Sequence, residues 1–211
     1  SARFVDEVIE KDQARVDKMS ARELEDHKAL QERWRTVIEK IRKSHLKKQG
    51  NPLYVLPWYM IIGESGSGKT TSLNSARLST FTDSESSGSI SGTKDCDWWF
   101  LEDSIIIDTA GRYAIPVNGD PDKNEWQKVM SLLLKYRKKE PLNGVIVTVA
   151  ADKLLGSPVE QIEEEGKTIR RKIDELMRVL GLKLPVYLLV TKCDLIQGMN
   201  NFSAKFSDDT L

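Results

Sequence analysis

The segment Gly63-Glu64-Ser65-Gly66-Ser67-Gly68-Lys69-Thr70, called the glycine-rich loop below, constrains the fold of this chain more than any other feature. It fits the pattern GxxxxGK[ST] at every position. Glycines let successive backbone N–H groups turn inward around a phosphate, and the N-terminus of a following helix favours the same negative charge. The apolar run at residues 58–62 predicts a strand before the loop, and a helix is expected over residues 70–77. We therefore predict a phosphate-binding loop (P-loop) between a strand and a helix.

The residues of this loop have distinct expected roles. Lys69 is predicted to reach the β- and γ-phosphate oxygens, where it also acts in catalysis, and the Thr70 hydroxyl is predicted to bind Mg²⁺. The other positions are expected to contact the nucleotide: Gly63, Glu64, Ser65, Gly66, Ser67, Gly68 and Thr71. An incidental turn rich in Gly and Ser is the alternative. The predicted cofactors are Mg²⁺ and GTP or ATP.

A second motif, Ile105-Ile106-Ile107-Asp108-Thr109-Ala110-Gly111, follows later in the chain. An acidic residue at the end of an apolar strand is placed to hold Mg²⁺, so Asp108 is a predicted metal ligand. Gly111 has no side chain, and its N–H is expected to approach the γ-phosphate. Thr93 is the best-placed threonine for a further metal and catalytic contact, with Thr80 and Thr82 as alternatives.

A third motif, Val190-Thr191-Lys192-Cys193-Asp194, ends another apolar run. A carboxylate at Asp194 can accept hydrogen bonds from both N1–H and N2–H of guanine, which adenine does not offer. The stem of Lys192 is expected to lie along the base, with Thr191 beside it. A charged turn after a strand is the alternative. This motif favours GTP over ATP.

The rest of the chain predicts an α/β fold with a preceding helical segment. Apolar residues recur at helical spacing before Gly50-Asn51-Pro52, so we expect a helical segment over 1–50 and a nucleotide-binding domain over 51–211. Strands are expected at 97–100 and 104–107, as a hairpin, and at 145–149 and 186–190. Helical stripes are expected at 126–136 and at 169–180, with Gly181 ending the second helix, and a loop is expected at 112–123. Alternating strands and helices predict three layers, with a mostly parallel sheet covered on both faces.

Charge and aromatic patterning add two expectations. Lys+Arg and Asp+Glu number 32 each, so no overall field favours nucleic acid as a partner. In the run Trp98-Trp99-Phe100, adjacent side chains of a strand point to opposite faces. We expect core packing on both faces, with Trp99 as a partner-docking anchor if its face is open.

The order of the three motifs resembles the GTPase branch of P-loop NTPases. Many small GTPases carry, directly after the glycine that corresponds to Gly111, a Gln that orients the attacking water. This chain has Arg112 there. We expect slow hydrolysis, with Arg112 either stabilising transition-state charge or forming a surface salt bridge.

A more specific resemblance rests on five blocks in order, between about Leu53 and Gly198. They are similar to the cytoplasmic domain of the IcmF (TssM) family, inner-membrane subunits of bacterial type VI secretion systems. The blocks are Leu56-Pro57-Trp58-Tyr59, Gly92 to Phe100, Asp108 to Tyr113, Pro141 to Val147 and Pro185 to Asp194.

That resemblance implies a fragment of a longer membrane protein that faces the cytoplasm, with its transmembrane helices outside these residues. It implies the membrane-complex subunits TssL and TssJ and baseplate proteins as partners. The expected function is a slow, Mg²⁺-dependent conformational switch. The alternative is a structural docking module that binds nucleotide with little or no turnover.

Overall fold

The computed structural model describes residues 21–75, 96–114 and 120–205. The threonines considered for a further metal and catalytic contact, Thr80, Thr82 and Thr93, lie outside these residues. The described part is an α/β fold with one mixed, mostly parallel sheet of five strands, in the order β2-β3-β1-β4-β5. The strands are β1 (Trp58–Gly63), β2 (Cys96–Phe100), β3 (Ile105–Thr109), β4 (Gly144–Ala150) and β5 (Val186–Thr191).

Eight helices lie in the described residues, along with two short 3₁₀ turns at His45–Lys48 and Cys193–Leu195. The helices are α1 (Ala21–Lys43), α2 (Pro52–Val55), α3 (Lys69–Ser75), α4 (Gly111–Ala114), α5 (Asp120–Tyr136), α6 (Ala151–Gly156), α7 (Val159–Leu180) and α8 (Met199–Ser203). Only β2 runs antiparallel to its neighbour, as the predicted hairpin requires. The left-handed Gly181 ends α7 at the predicted position, with φ of 66°.

Alternation along the strands divides the core into two unequal parts. In β1, Trp58, Met60 and Ile62 face a large core that also contains residues of α1, α5 and α7. Ile61 faces a small core on the opposite side, together with Leu73 of α3. The two faces therefore differ greatly in how much apolar surface the described helices bury.

The expectation of a sheet covered on both faces is wrong at β5 within the described residues. Val186, Tyr187, Leu188 and Val190 are exposed, and Leu188 has a relative exposure of 67%. β5 pairs with β4 and forms the edge of the sheet. Because these residues lie on both faces of the strand, the described helices leave an apolar edge in contact with solvent.

Helix α1 packs directly on the sheet through Trp34, which is fully buried. The Trp34 ring meets the Trp98 ring edge-on at 4.7 Å between centroids and stacks on Tyr136 at 6.3 Å. Leu30, Ile38 and other apolar residues of α1 lie in the same large core. The predicted amphipathic helix thus contributes to the core of the α/β fold.

A buried arginine fixes the beginning of β1. The Arg137 guanidinium carbon lies 4.5 Å from the Trp58 ring centroid and 5.1 Å from that of Tyr54. Burial lowers the pKa of Arg137 to about 10. Asn143 Oδ1 accepts the Trp58 N–H at 2.8 Å and lies 3.5 Å from Arg137 Nη2. These contacts anchor the strand that leads into the glycine-rich loop.

One local expectation needs correction, and another is confirmed. The predicted loop at 112–123 contains α4 and the start of α5. Asp120-Pro121 begins a helix because proline fits the first helical turn, where its missing N–H has no partner to lose. Trp98 and Phe100 pack in the large core and Trp99, with a relative exposure of 4%, packs in the small core, which confirms the expected core packing on both faces. The face of Trp99 is not open, so the condition for a docking anchor is not met.

Replacing Trp34 by Ala tests whether α1 is integral to the fold. We expect the free energy of unfolding to fall by about 3–5 kcal/mol, because a fully buried ring and its edge-on contact are lost. The measurement is urea unfolding followed by circular dichroism. Arg35→Ala, on the exposed face of the same helix, is the control. A loss below about 1 kcal/mol for Trp34→Ala, within the range of surface substitutions, would contradict this packing.

Candidate functional site

Four strand ends meet along one edge of the sheet. β3, β1, β4 and β5 are parallel neighbours, so the residues that follow each strand lie at the same carboxyl edge. The chain leaves β1 toward the small core and leaves β3 toward the large core. Ligands of open α/β sheets bind where adjacent strands diverge in this way. All three sequence motifs end at this edge.

The glycine-rich loop is a tight turn held from several sides. Gly66 and Gly68 have φ of 76° and 84°, which side chains rarely tolerate. A Cβ on Gly63 would lie 2.0 Å from Thr148 Oγ1, so β4 leaves no room for a side chain there. The Ser67 hydroxyl is 2.8 Å from the Thr148 hydroxyl. The loop therefore has a fixed path between β1 and α3.

Lys69 turns back into its own loop. Its ammonium donates to the carbonyl oxygens of Gly63 and Glu64 at 2.9 and 3.0 Å. The residue is buried, with 7% of its surface exposed. Burial lowers the pKa of Lys69, and the charges of Asp108 and Glu64 oppose that shift. A buried cation at the N-terminus of a helix is well suited to bind an anion.

The two predicted metal ligands in the described residues lie together. The Thr70 hydroxyl donates to Asp108 Oδ2 at 2.5 Å. Burial raises the pKa of Asp108, while the Thr70 hydrogen bond and the charge of Lys69 lower it. A hydroxyl and a carboxylate are hard oxygen ligands of the kind that Mg²⁺ uses alongside phosphate oxygens and water. This pair fits Mg²⁺ bound together with a phosphate.

The described residues contain no cluster of three or more His, Cys, Asp or Glu side chains arranged for a metal ion. An all-protein metal cage is therefore not found in this part of the chain. Mg²⁺ often binds through one or two protein oxygens and the phosphates of its substrate, so the Thr70 and Asp108 pair remains suitable.

Gly111 packs against the glycine-rich loop. A Cβ at Gly111 would lie 2.2 Å from the backbone nitrogen of Ser65 and 2.4 Å from its Cα. Only glycine permits this approach, since a β-carbon would overlap the loop backbone. The Asp108–Gly111 segment and the loop therefore touch at the position where the sequence predicts a γ-phosphate contact.

Arg112, the next residue, forms an ion pair with Glu125 of α5. Arg112 Nη2 lies 2.6 Å and Nε 3.1 Å from Glu125 Oε2. The Tyr113 hydroxyl donates to the same oxygen at 3.2 Å. In this arrangement Arg112 links α4 to α5, which corresponds to the salt-bridge role considered for it.

The third motif contacts the loop through Thr191. The Thr191 hydroxyl donates to the Ser67 carbonyl oxygen at 2.5 Å, which ties the end of β5 to the glycine-rich loop. Lys192 follows in a left-handed conformation with φ of 54°, and its ammonium lies 3.3 Å from Asp152 Oδ2. Asp194 is exposed in the short 3₁₀ turn after β5.

Sequence reasoning missed the residues that follow β4. Asp152 contacts Lys192, and Lys153 contacts Glu64 of the glycine-rich loop. The signal was present, because Ala151-Asp152-Lys153 directly follows a buried strand and must lie at the same edge. Asp97 was missed too. It is buried in β2 directly opposite Asp108, a position that only the strand register reveals.

A family model and a curated relative both match this chain. Residues 119–210 match the model of the IcmF-related N-terminal domain. Over 157 residues the chain is 40% identical to "Type VI secretion system component TssM1" of Pseudomonas aeruginosa. That match covers 71% of this chain and 14% of the relative, so the chain spans a small part of the relative's length. In the described residues, every helix is too short or too polar to cross a membrane.

Asp108→Asn tests the electrostatics of this edge. Because burial raises the pKa of Asp108 above its ordinary value of 3.8, folding disfavours the ionised form. The contribution of the Asp108 carboxyl to stability is thus fully present below that ordinary value and is lost as pH rises through the raised pKa. We expect the substitution to raise the thermal midpoint of nucleotide-free protein at pH 7, and the gain to shrink as pH falls through the raised pKa.

Thermal scans from pH 7 downward measure this difference. Asp103→Asn, an exposed carboxylate in the turn between β2 and β3, is the matched control and should leave the midpoint unchanged. A lower midpoint for Asp108→Asn at pH 7 would show that the ionised carboxylate stabilises the fold, against this account.

Proposed function

The chain belongs to the IcmF (TssM) family of type VI secretion components, and on that premise we propose that it binds a nucleoside triphosphate with Mg²⁺ and hydrolyses it slowly. In this proposal the fold is that of a GTPase-like P-loop NTPase, and GTP is favoured over ATP. The site is the carboxyl edge of the sheet, formed by the glycine-rich loop, Asp108, Gly111 and the residues after β5.

One observation carries the proposal: three features occur together around the glycine-rich loop. They are the buried Lys69, the hydrogen-bonded pair of Thr70 and Asp108, and the close approach of Gly111 to the loop backbone. Lys69 is held by loop carbonyls, and an arriving phosphate offers its ammonium a stronger, charged partner. Thr70 and Asp108 would hold Mg²⁺, which when bound neutralises charge on the phosphate oxygens. The backbone N–H groups of the loop would bind the β-phosphate.

The preference for guanine rests on the segment after β5. Asp194 is exposed beyond the strand end, so its carboxylate is accessible to a base. Thr191 ties this segment to the loop through Ser67, which supports a base site and a phosphate site at one edge. The stem of Lys192 would lie along the base once its contact with Asp152 is exchanged.

Slow hydrolysis follows from the residue after Gly111. Arg112 cannot orient water as a neutral amide can, and Glu125 already holds its guanidinium. Direct help to the reaction from Arg112 would require that ion pair to break. We expect the isolated chain to turn over nucleotide well below ~1 s⁻¹, the lower end of common enzyme rates.

The contact between Gly111 and Ser65 gives the proposed switch a physical basis. A γ-phosphate bound by the loop and by the Gly111 N–H needs space at this contact, so α4 would shift when triphosphate replaces diphosphate. Arg112 and Tyr113 would carry that shift to α5 through Glu125. Thr93 is proposed to complete the Mg²⁺ site from outside the described residues.

We further propose a setting for this switch. The whole protein would lie in the bacterial inner membrane, anchored by transmembrane helices outside this chain, with this domain facing the cytoplasm. Its partners would be TssL, TssJ and baseplate proteins of the type VI secretion complex. This setting is supported by the similarity to TssM1, which is a type VI secretion system component.

A structural docking module is the second candidate. The apolar edge at β5 favours it, together with a groove of about 570 Å³ between β5 and the turn that joins β2 to β3. Exposed apolar surface of this kind is typical of contacts with other protein segments. In that case nucleotide would stabilise the fold without being turned over.

Titration of the purified chain with fluorescent GTP and ATP analogues, with and without Mg²⁺, tests the proposal. We expect saturable, Mg²⁺-dependent binding with tighter GTP, because Asp194 recognises guanine. Lys69→Ala should abolish triphosphate binding, and Asp194→Ala should remove the GTP preference. Lys139→Ala, at an exposed residue, and Asp174→Ala, at a partly exposed residue of α7, both change side chains away from the edge and are the controls.

Two results would decide against parts of this account. Absence of saturable binding by the wild-type chain would overturn nucleotide binding altogether. Equal GTP and ATP affinities in both the wild type and Asp194→Ala would overturn only the guanine preference. Turnover measured in the same samples separates the switch, which hydrolyses slowly, from a docking module that does not.

A further inference from the structure

The glycine-rich loop carries a negative charge within the segment proposed to bind phosphate. Glu64 is its second residue, and the Glu64 carbonyl already accepts from Lys69. The Glu64 side chain remains 40% exposed. An uncompensated carboxylate here would repel a triphosphate and would weaken the field of Lys69.

Lys153 compensates this charge from the other side of the edge. Its ammonium contacts Glu64 Oε2 and also lies 2.6 Å from Glu165 Oε2 of α7. The Lys153 side chain is 21% exposed, which makes it the least exposed partner of this triad. Burial lowers the pKa of Lys153, but hydrogen bonds and charge from Glu165 and Glu64 outweigh it and raise the pKa overall.

We propose that Lys153 is a positioning residue for the phosphate site: it neutralises Glu64 and joins the glycine-rich loop to α7 through Glu165. This inference rests on the proposed nucleotide binding. Lys153 does not itself need to touch the nucleotide. Its effect is electrostatic, because it sets the net charge that a triphosphate meets beside Lys69.

The net charge of the triad predicts whether each substitution weakens or restores nucleotide affinity. The triad of Lys153, Glu64 and Glu165 carries one positive and two negative charges at neutral pH. Replacing Lys153 by Met leaves both carboxylates without their shared ion-pair partner. Replacing Glu64 by Gln in the same variant removes the carboxylate that lies in the glycine-rich loop itself, so nucleotide affinity should recover. If the ion pair acted only by holding the loop in place, the double variant would not regain affinity, because it still lacks the ion pair.

To test this, a fluorescent GTP analogue is titrated, in the presence of Mg²⁺, into single and double variants of the chain. We expect Lys153→Met to weaken binding about tenfold, equivalent to about 1.4 kcal/mol. Lys153→Arg should bind like the wild type. Glu64→Gln combined with Lys153→Met should return affinity to within about threefold of the wild type, and Glu165→Gln in the same background should recover less.

Lys167→Met is the matched control, because Lys167 is 60% exposed and pairs with Glu164 one turn away on α7. It should bind like the wild type. The Lys153→Met deficit should also shrink as salt rises from about 0.05 to 0.5 M, since screening weakens charge effects between partly exposed groups. Circular dichroism and thermal unfolding confirm that each variant is folded.

The outcomes are separable from those of the proposed function. Failure of the wild type to bind would overturn nucleotide binding and this inference with it. Normal binding by the wild type and by Lys153→Met would overturn the inference alone. So would a Lys153→Met deficit that Glu64→Gln does not relieve. If Lys153→Met does not fold, Glu64→Gln decides, because the charge account expects about threefold tighter binding and weaker binding would contradict it.

Discussion

The parallel pairing of β1 with β3 on one side and β4 on the other is the constraint on which the rest of the structure depends. It brings the ends of distant segments to one edge, so Gly111 after β3 and Lys153 after β4 both contact the glycine-rich loop. The pairing of β4 with β5 adds Thr191 to the same edge. The large core beneath this pairing is filled by apolar residues of α1, α5 and α7, which hold the strands in register. The positions of the residues at the carboxyl edge therefore depend on the packing of the large core.

The edge itself is electrostatically costly. Burial opposes ionisation of both Lys69 and Asp108, yet the two charges lie close enough to offset part of each other's cost. Buried charged groups of this kind are common at binding sites, where a charged ligand can offset the cost of their burial. The same reasoning applies to Glu64, whose charge is offset by Lys153 on a different element. The site is thus a balance of charges that a Mg²⁺-bound triphosphate would complete.

Much of this arrangement could be predicted from local sequence. Periodicity located all five strands, and Gly181 predicted the end of α7. The motif residues could be assigned to one edge because they follow apolar runs. Contacts that depend on strand register or on side-chain direction could not be predicted. Examples are the position of Asp97 opposite Asp108 in the sheet and the ion pair between Arg112 and Glu125. The exposed edge at β5 also escaped prediction, since alternating elements indicate coverage without specifying which helix covers which strand.

Amide hydrogen exchange of the chain with and without Mg²⁺·GTP tests the central claim most directly. The claim is that a triphosphate binds at the carboxyl edge of the sheet, around the glycine-rich loop. Saturating Mg²⁺·GTP should slow exchange at the amides of Gly66 to Thr70 and change it at Gly111, because those N–H groups would contact phosphate. Unchanged exchange at the loop amides, with ligand bound elsewhere or not at all, would contradict the account.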